Sequence, residues 1–340
     1  MTKIAILGAG SWGTALSVVL SRARKPLEIS LWVRNATLAE SLWHHRENNA
    51  YLPGVFLPRE IRVTHEMPTA LEGAQVVIGA LPSAHARAIY SQALPDVTEQ
   101  MVFVSATKGL EPATHLRMSK VIAQTLKPGE APLSAASPKI AVLSGPSFAA
   151  EAARGEPTAV VLATEDAALG TMLQEEFSGP SFRLYTNDDV LGVELAGAVK
   201  NVMAIAAGAV LGLGLGSNPL AALITRGLAE MTRLAVALGA RRETLSGLAG
   251  LGDLVLTCTG ALSRNRHVGV ELGKGRRLPE ILAGMRMVAE GVDTAAPLLA
   301  LAREHGIEMP ITEQVDAILH QGKAAKDAIR EIMDRPLKRE

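Results

Sequence analysis

A short apolar strand, Lys3-Ile4-Ala5-Ile6-Leu7, runs directly into Gly8-Ala9-Gly10-Ser11-Trp12-Gly13-Thr14-Ala15-Leu16, after which the apolar residues take up helical spacing. Few patterns restrict a fold as tightly. Gly8 permits a tight turn, Gly10 lets backbone approach a pyrophosphate, and Gly13 lets helix and strand pack closely. The first N–H groups of the helix have no partner within it, and the helix dipole adds partial positive charge there. Strand, glycine triplet and helix in this order predict a dinucleotide-binding α/β domain. The plainer alternative is a structural glycine turn.

The next strand, Leu27 to Val33, ends at Arg34-Asn35, ~20 residues beyond the glycines, where a carboxylate gripping a ribose 2′-hydroxyl is expected. An arginine there can face a 2′-phosphate, which favours NADP or tolerance of both NAD and NADP. Arg34 as a solvated surface residue stays open. Apolar runs follow at Ala74–Leu81, Met101–Ala106, Lys139–Leu143, Thr158–Thr164 and Ser181–Tyr185. The near-continuous apolar run Ala74–Leu81 is that of a strand covered on both faces, and the runs at this spacing predict a doubly wound, mostly parallel sheet. Three exits lie at its carboxyl edge, where ligands bind in such folds: Pro82-Ser83, Thr107-Lys108-Gly109-Leu110, and Ser144-Gly145-Pro146-Ser147-Phe148-Ala149. Lys108 points towards the mouth of that site, or is an ordinary solvated loop lysine.

The polar patch Thr186-Asn187-Asp188-Asp189 marks a boundary, and beyond it only helical patterns remain. The chain of 340 residues is thus expected to form two domains, 1–188 binding a dinucleotide and 189–335 all α. Lys+Arg and Asp+Glu balance at 34 each, so no global field attracts nucleic acid or an anionic membrane. Cys258 is the single cysteine, which excludes an intrachain disulfide and a Cys-rich metal site and suits a reducing cytoplasm. No cleavable signal pattern is apparent. The run Val202–Gly216 is shorter than the ~20 residues of a spanning helix and reads as a core helix.

Within that helical half, Leu195-Ala196-Gly197-Ala198-Val199-Lys200-Asn201 sets a lysine and an asparagine among small apolar residues. A free ammonium there is costly unless paired. Ala196 and Gly197 lie one turn earlier on the same face and suggest a notch beside it. Gly250-Leu251-Gly252-Asp253-Leu254 places a lone carboxylate in an equally apolar setting, so Lys200 and Asp253 are expected to meet. Asp253 as a simple helix cap is the alternative. Further on, Ser263-Arg264-Asn265 puts a cap, a guanidinium and an amide at a helix start, which makes a phosphate cradle or an ordinary cap with exposed arginines.

Together, and in this order along essentially the whole chain, the motifs Gly8–Thr14, Ala106–Leu110, Ser144–Ala149, Gly197–Asn201, Gly250–Leu254 and Ser263–Asn265 resemble the bacterial NAD(P)-dependent glycerol-3-phosphate dehydrogenases. The resemblance implies reversible reduction of dihydroxyacetone phosphate to sn-glycerol 3-phosphate, serving phospholipid synthesis. It implies a catalytic Lys200 with Asp253, and Lys108, Gly145, Ser147, Asn201, Thr257, Ser263, Arg264 and Asn265 around the substrate. Ser11, Trp12, Arg34, Lys108, Ala149, Arg264, Val288 and Glu290, with the glycines Gly8, Gly10 and Gly13, would contact the dinucleotide. It also implies a cytoplasmic homodimer. In such an enzyme the apolar helix lowers the pKa of Lys200 and Asp253 opposes that shift. A dehydrogenase for another keto or hydroxy acid, and a nucleotide sensor without chemistry, are the competing readings.

Overall fold

The structure, a computed structural model, describes residues 1–126 and 138–337. It divides into two units, Met1–Glu111 with Leu116–Glu194, and Pro112–His115 with Leu195–Glu340. The strands of the first are β1 (Thr2–Leu7), β2 (Leu27–Trp32), β3 (Glu47–Asn48), β4 (Leu52–Phe56), β5 (Arg62–Thr64), β6 (Val76–Gly79), β7 (Val102–Ser105), β8 (Lys139–Ser144), β9 (Thr158–Ala163) and β10 (Phe182–Asn187). The main sheet has the order β10-β9-β8-β7-β6-β1-β2-β5, and β3 and β4 pair separately. From β5 to β8 every pairing is parallel; β9 runs antiparallel to β8 and β10 parallel to β9.

The chain moves outward from β1 through β2 to β5 and then returns to β6 on the other side of β1. That reversal makes a topological switch point at the carboxyl ends of β1 and β6, the position at which open α/β sheets bind ligands. Alternate residues of β1 serve opposite faces, as the pleat requires. Ile4 and Ile6 pack with Leu16, Val19 and Leu31, while Ala5 and Leu7 pack with Val77, Tyr90 and Phe103. Burial on both faces is why these strands read as unbroken apolar runs.

Two details differ from the sequence reading. Strand β10 takes in Thr186 and Asn187 of the polar patch, and the packing division follows Glu194, inside a helix. The Glu194 carboxylate explains this: it accepts from the Ser119 backbone N–H (2.7 Å) and hydroxyl (2.6 Å) and pairs with Arg117, all within the first unit. The pair β3–β4 and the three-residue β5 had no counterpart in the sequence reading.

The second unit is helical among its described residues. Its lysine-bearing helix, Val190–Gly212, starts twelve residues before the apolar run that begins at Val202. By length and composition this 23-residue helix is capable of crossing a membrane, which corrects the length argument made from the sequence. Its most apolar window is 83% buried inside the protein, the pattern of a core helix.

Gly208 and Gly212 of this helix meet Gly269 and Gly273 of the helix Arg264–Gly273. A Cβ added at Gly208 or Gly269 would lie 2.0 Å from the carbonyl oxygen of Arg266 or Ile205 respectively. Added at Gly212 or Gly273 it would lie 2.2 or 2.6 Å from the oxygens of Val270 and Ala209. Glycine spaced by four on both helices thus permits backbone-to-backbone contact. Gly269→Ala is expected to lower stability to chemical denaturation by about 3 kcal/mol, because the obstructing atom is backbone and cannot rotate away. Gly216→Ala, where an added Cβ meets nothing within 4 Å, provides the comparison and should change little; equal effects would contradict the close-contact account.

Candidate active site

The turn after β1 has the geometry its glycines suggest. Gly8 has φ +110°, and a Cβ there would sit 2.6 Å from the Ala80 oxygen at the end of β6. A Cβ at Gly13 would fall 1.8 Å from the Gly8 oxygen, so this glycine is what lets the helix Ser11–Leu20 start against the turn. Around Gly10 an added Cβ meets nothing within 4 Å. Gly10 is the N-cap and provides no side-chain acceptor, and the first turn carries no acidic residue. This open, glycine-floored helix start fits a pyrophosphate.

Trp12 and Ala149 are partly buried and pack on the same core cluster, each at the start of its own helix. The Trp12 indole Nε1 is buried without a protein acceptor. Arg34 is exposed, two residues past the end of β2, and Asn35 caps the next helix by accepting from the Leu38 N–H (2.8 Å).

The exits of β7 and β8 are brought together. The Lys108 ammonium donates to the Gly145 carbonyl at 2.8 Å and approaches the Ser147 hydroxyl at 3.5 Å. Ser147 in turn donates to the Gly145 carbonyl (2.9 Å). Thr107, one residue before the lysine, accepts from the Leu81 N–H (3.1 Å) and donates to its carbonyl (2.9 Å), so the loops after β6 and β7 are stapled to each other. Lys108 is thereby a held lysine rather than a freely solvated one.

In the second unit Lys200 and Asp253 meet. The ammonium, 5% exposed, donates to Asp253 Oδ1 at 2.7 Å and to the Thr257 hydroxyl at 2.8 Å. Thr257 gives its own proton to the Asp253 carbonyl one turn back (2.6 Å), which leaves its oxygen free to accept from the lysine. Asp253 lies in the first turn of its helix, one residue after the N-cap Gly252. It opens the helix Asp253–Thr259 directly after a π-helical turn, Leu248–Gly252. Ala196 is fully buried.

The Ser263 cap is present, its hydroxyl accepting from the Arg266 N–H (3.2 Å). Arg264 is exposed, although nearby protein atoms lower its pKa, a shift the Glu290 carboxylate opposes. Glu290 begins the helix Glu290–Glu304 and Val288 lies just before it, 40% exposed. Asn265 is engaged differently from a free phosphate ligand. Its Nδ2 donates to Asn201 Oδ1 and its Oδ1 accepts from the Gly291 N–H, both at 2.9 Å. The side chain therefore ties three helices together. Asn201 also donates to the Gly197 carbonyl (3.3 Å).

The sequence reading missed Asn48, which is fully buried beside the glycine turn. A strand of two residues carries no periodicity that would have exposed it.

The match to known families covers most of the chain. Residues 3–170 match the model of the NAD-dependent glycerol-3-phosphate dehydrogenase N-terminus and residues 189–330 that of its C-terminus. A glycerol-3-phosphate dehydrogenase [NAD(P)+] from Koribacter versatilis is 54% identical over 337 residues, covering 99% of this chain and 98% of that protein. The protein of the same description from Geobacter sulfurreducens is 49% identical over 338 residues, with 99% and 98% covered. Among solved structures, glycerol-3-phosphate dehydrogenase from Coxiella burnetii superposes with a TM-score of 0.92 at 41% identity, covering 98% of this chain and 99% of that one.

The buried ammonium makes one stability prediction. Asp253→Ala should cost about 3 kcal/mol in urea unfolding, since it strands the Lys200 charge. Adding Lys200→Met should recover most of that loss, and a double variant as unstable as Asp253→Ala would mean that packing, not charge, is responsible.

Proposed function

Because the chain belongs to the NAD-dependent glycerol-3-phosphate dehydrogenase family, we propose that it interconverts dihydroxyacetone phosphate and sn-glycerol 3-phosphate with NADH or NADPH, with Lys200 as the proton donor and acceptor. The product serves phospholipid synthesis. The observation that supports the catalytic assignment is the Lys200 ammonium held 2.7 Å from Asp253 and 2.8 Å from Thr257. When bound, the reduced nicotinamide supplies the hydride. As the ketone carbon accepts it, the oxygen takes on alkoxide character and needs a proton, which Lys200 delivers. Asp253 and Thr257 fix the direction of the ammonium, so little reorganisation remains at the moment of transfer.

Recognition of the rest of the substrate follows from its charge. In the second unit Arg264, with Ser263 at the helix start, is the grip for the phosphate; in the first, Lys108 with Gly145 and Ser147 is the polar group offered to the substrate. Asn201 orients the reacting oxygen and is itself held by Asn265. That engagement limits Asn265 to what its second amide proton and backbone offer the phosphate. In the first unit Gly8, Gly10, Ser11, Trp12, Gly13 and Ala149 cradle the dinucleotide, and exposed Arg34 faces a 2′-phosphate. The same reading carries a cytoplasmic homodimer. A single buried cysteine suits a reducing compartment.

The assay is oxidation of NADPH and NADH in parallel with dihydroxyacetone phosphate, using unphosphorylated dihydroxyacetone as control. Turnover that needs the phosphate supports the assignment, and equal rates on both ketones would overturn the phosphate grip. Lys200→Met is expected to lose turnover while NADPH still binds, as titrated by its fluorescence; a variant that keeps turning over removes Lys200 from the mechanism. Arg34→Ala is expected to weaken NADPH binding by roughly tenfold, the worth of a charge-assisted hydrogen bond, and NADH binding far less. Matching losses for the two cofactors would show that Arg34 does not read the 2′-phosphate.

A further inference from the structure

The residue with the most complete set of unexplained bonds is Asn48, at the end of β3 and 0% exposed. Its Nδ2 donates both protons, to the Ala9 carbonyl at 2.9 Å and to the Thr14 hydroxyl at 2.8 Å. Its Oδ1 accepts from the Tyr51 N–H at 3.2 Å. The orientation of the amide is fixed by its partners, because the Ala9 carbonyl can only accept and the Tyr51 N–H can only donate. The same short hairpin makes a further bond to the glycine turn: the Ser11 hydroxyl donates to the Tyr51 carbonyl at 2.6 Å. So the pair β3–β4, which contributes nothing to the main sheet, is fastened to the one turn that carries the fingerprint.

Ala9 is the residue between Gly8 and Gly10, and its carbonyl shares a planar trans peptide with the Gly10 N–H. The two groups of such a peptide point in opposite directions. Anchoring the oxygen on Asn48 therefore aims the Gly10 N–H away from the hairpin. A glycine turn without this anchor has flexible peptides that must be ordered when an anion arrives. We infer that Asn48 is a positioning residue for the dinucleotide: by holding the Ala9 carbonyl it keeps the Gly10 N–H set for the pyrophosphate before the cofactor binds. This rests on the dinucleotide reading of the Gly8–Gly13 turn given above. The hydrogen bond to Thr14 strengthens the arrangement, since Thr14 lies in the first turn of the fingerprint helix and its own N–H is bonded to the Gly10 carbonyl (3.0 Å).

The test is NADPH affinity by fluorescence titration, with melting temperature recorded for each protein. Asn48→Ala is expected to weaken NADPH binding by roughly tenfold, the effect of losing a buried hydrogen-bonded anchor. Asn48→Asp should weaken it more, because a carboxylate cannot donate to the Ala9 oxygen and repels both it and the phosphates. Thr14→Val removes only the second acceptor within a nearly unchanged shape; about a threefold loss is expected, and it remains informative if the Asn48 variants do not fold. Variants that melt earlier yet bind NADPH as the wild type does, well below their transitions, would overturn the inference and leave Asn48 a structural tether. Absence of NADPH binding by the wild type would overturn the dinucleotide reading itself, and this inference with it.

Discussion

A lysine ammonium placed in an apolar helix is tolerable only with a partner, and the helical unit is arranged around that condition. Lys200 is 5% exposed and Asp253 1% exposed, at a separation of 2.7 Å. Two charges withdrawn from water each lose several kcal/mol of hydration, so their attraction must be supported by further hydrogen bonds. Thr257 provides one, and it can accept from the lysine because its own proton is committed to the Asp253 carbonyl. The carboxylate arrives through the π-helical turn Leu248–Gly252, a local departure from regular winding of the kind that often marks functional positions. A regular helix through this stretch would rotate Asp253 to a different angle, and the buried charge would be left alone.

The second layer of support is made of backbone and amides. Gly208, Gly212, Gly269 and Gly273 bring the lysine helix and the helix beginning at Arg264 into backbone contact. Asn265 then spans from Asn201 to the Gly291 N–H. Lys200 and Arg264 thus sit on elements whose relative placement is set by carbonyl oxygens and short amides, with few rotatable bonds between them. In the first unit the analogous work is done by Thr107, which staples Leu81 to the Lys108 loop, and by the two core clusters that bury both faces of β1.

Much of this was legible in the sequence, for definite reasons. The parallel strands announce themselves because burial on both faces leaves no polar alternation, and the fingerprint because glycine alone tolerates the contacts at Gly8 and Gly13. The meeting of Lys200 with Asp253 followed from solvation, since neither charge had an affordable alternative. Other features were hidden. Strand β3 has two residues, too few for any period, so no pattern singles out Asn48. The division after Glu194 was hidden too, because its carboxylate pairs with Arg117 and Ser119, contacts that no local pattern encodes. Asn265 was placed correctly at a helix start, but helical position does not reveal which neighbour a side chain bonds, and its amide is largely spent on Asn201 and Gly291.

The glycine crossing also constrains how this chain can change over generations. At most buried positions a larger side chain can be absorbed by a neighbour becoming smaller. Here each missing Cβ faces a main-chain oxygen, and no substitution shrinks a carbonyl. A side chain gained at one of the four positions can be accommodated only by moving a whole helix, which would shift Asn201 from Asn265 at the same time. The four glycines consequently form a single inherited unit, open to replacement only through a concerted redesign of the crossing.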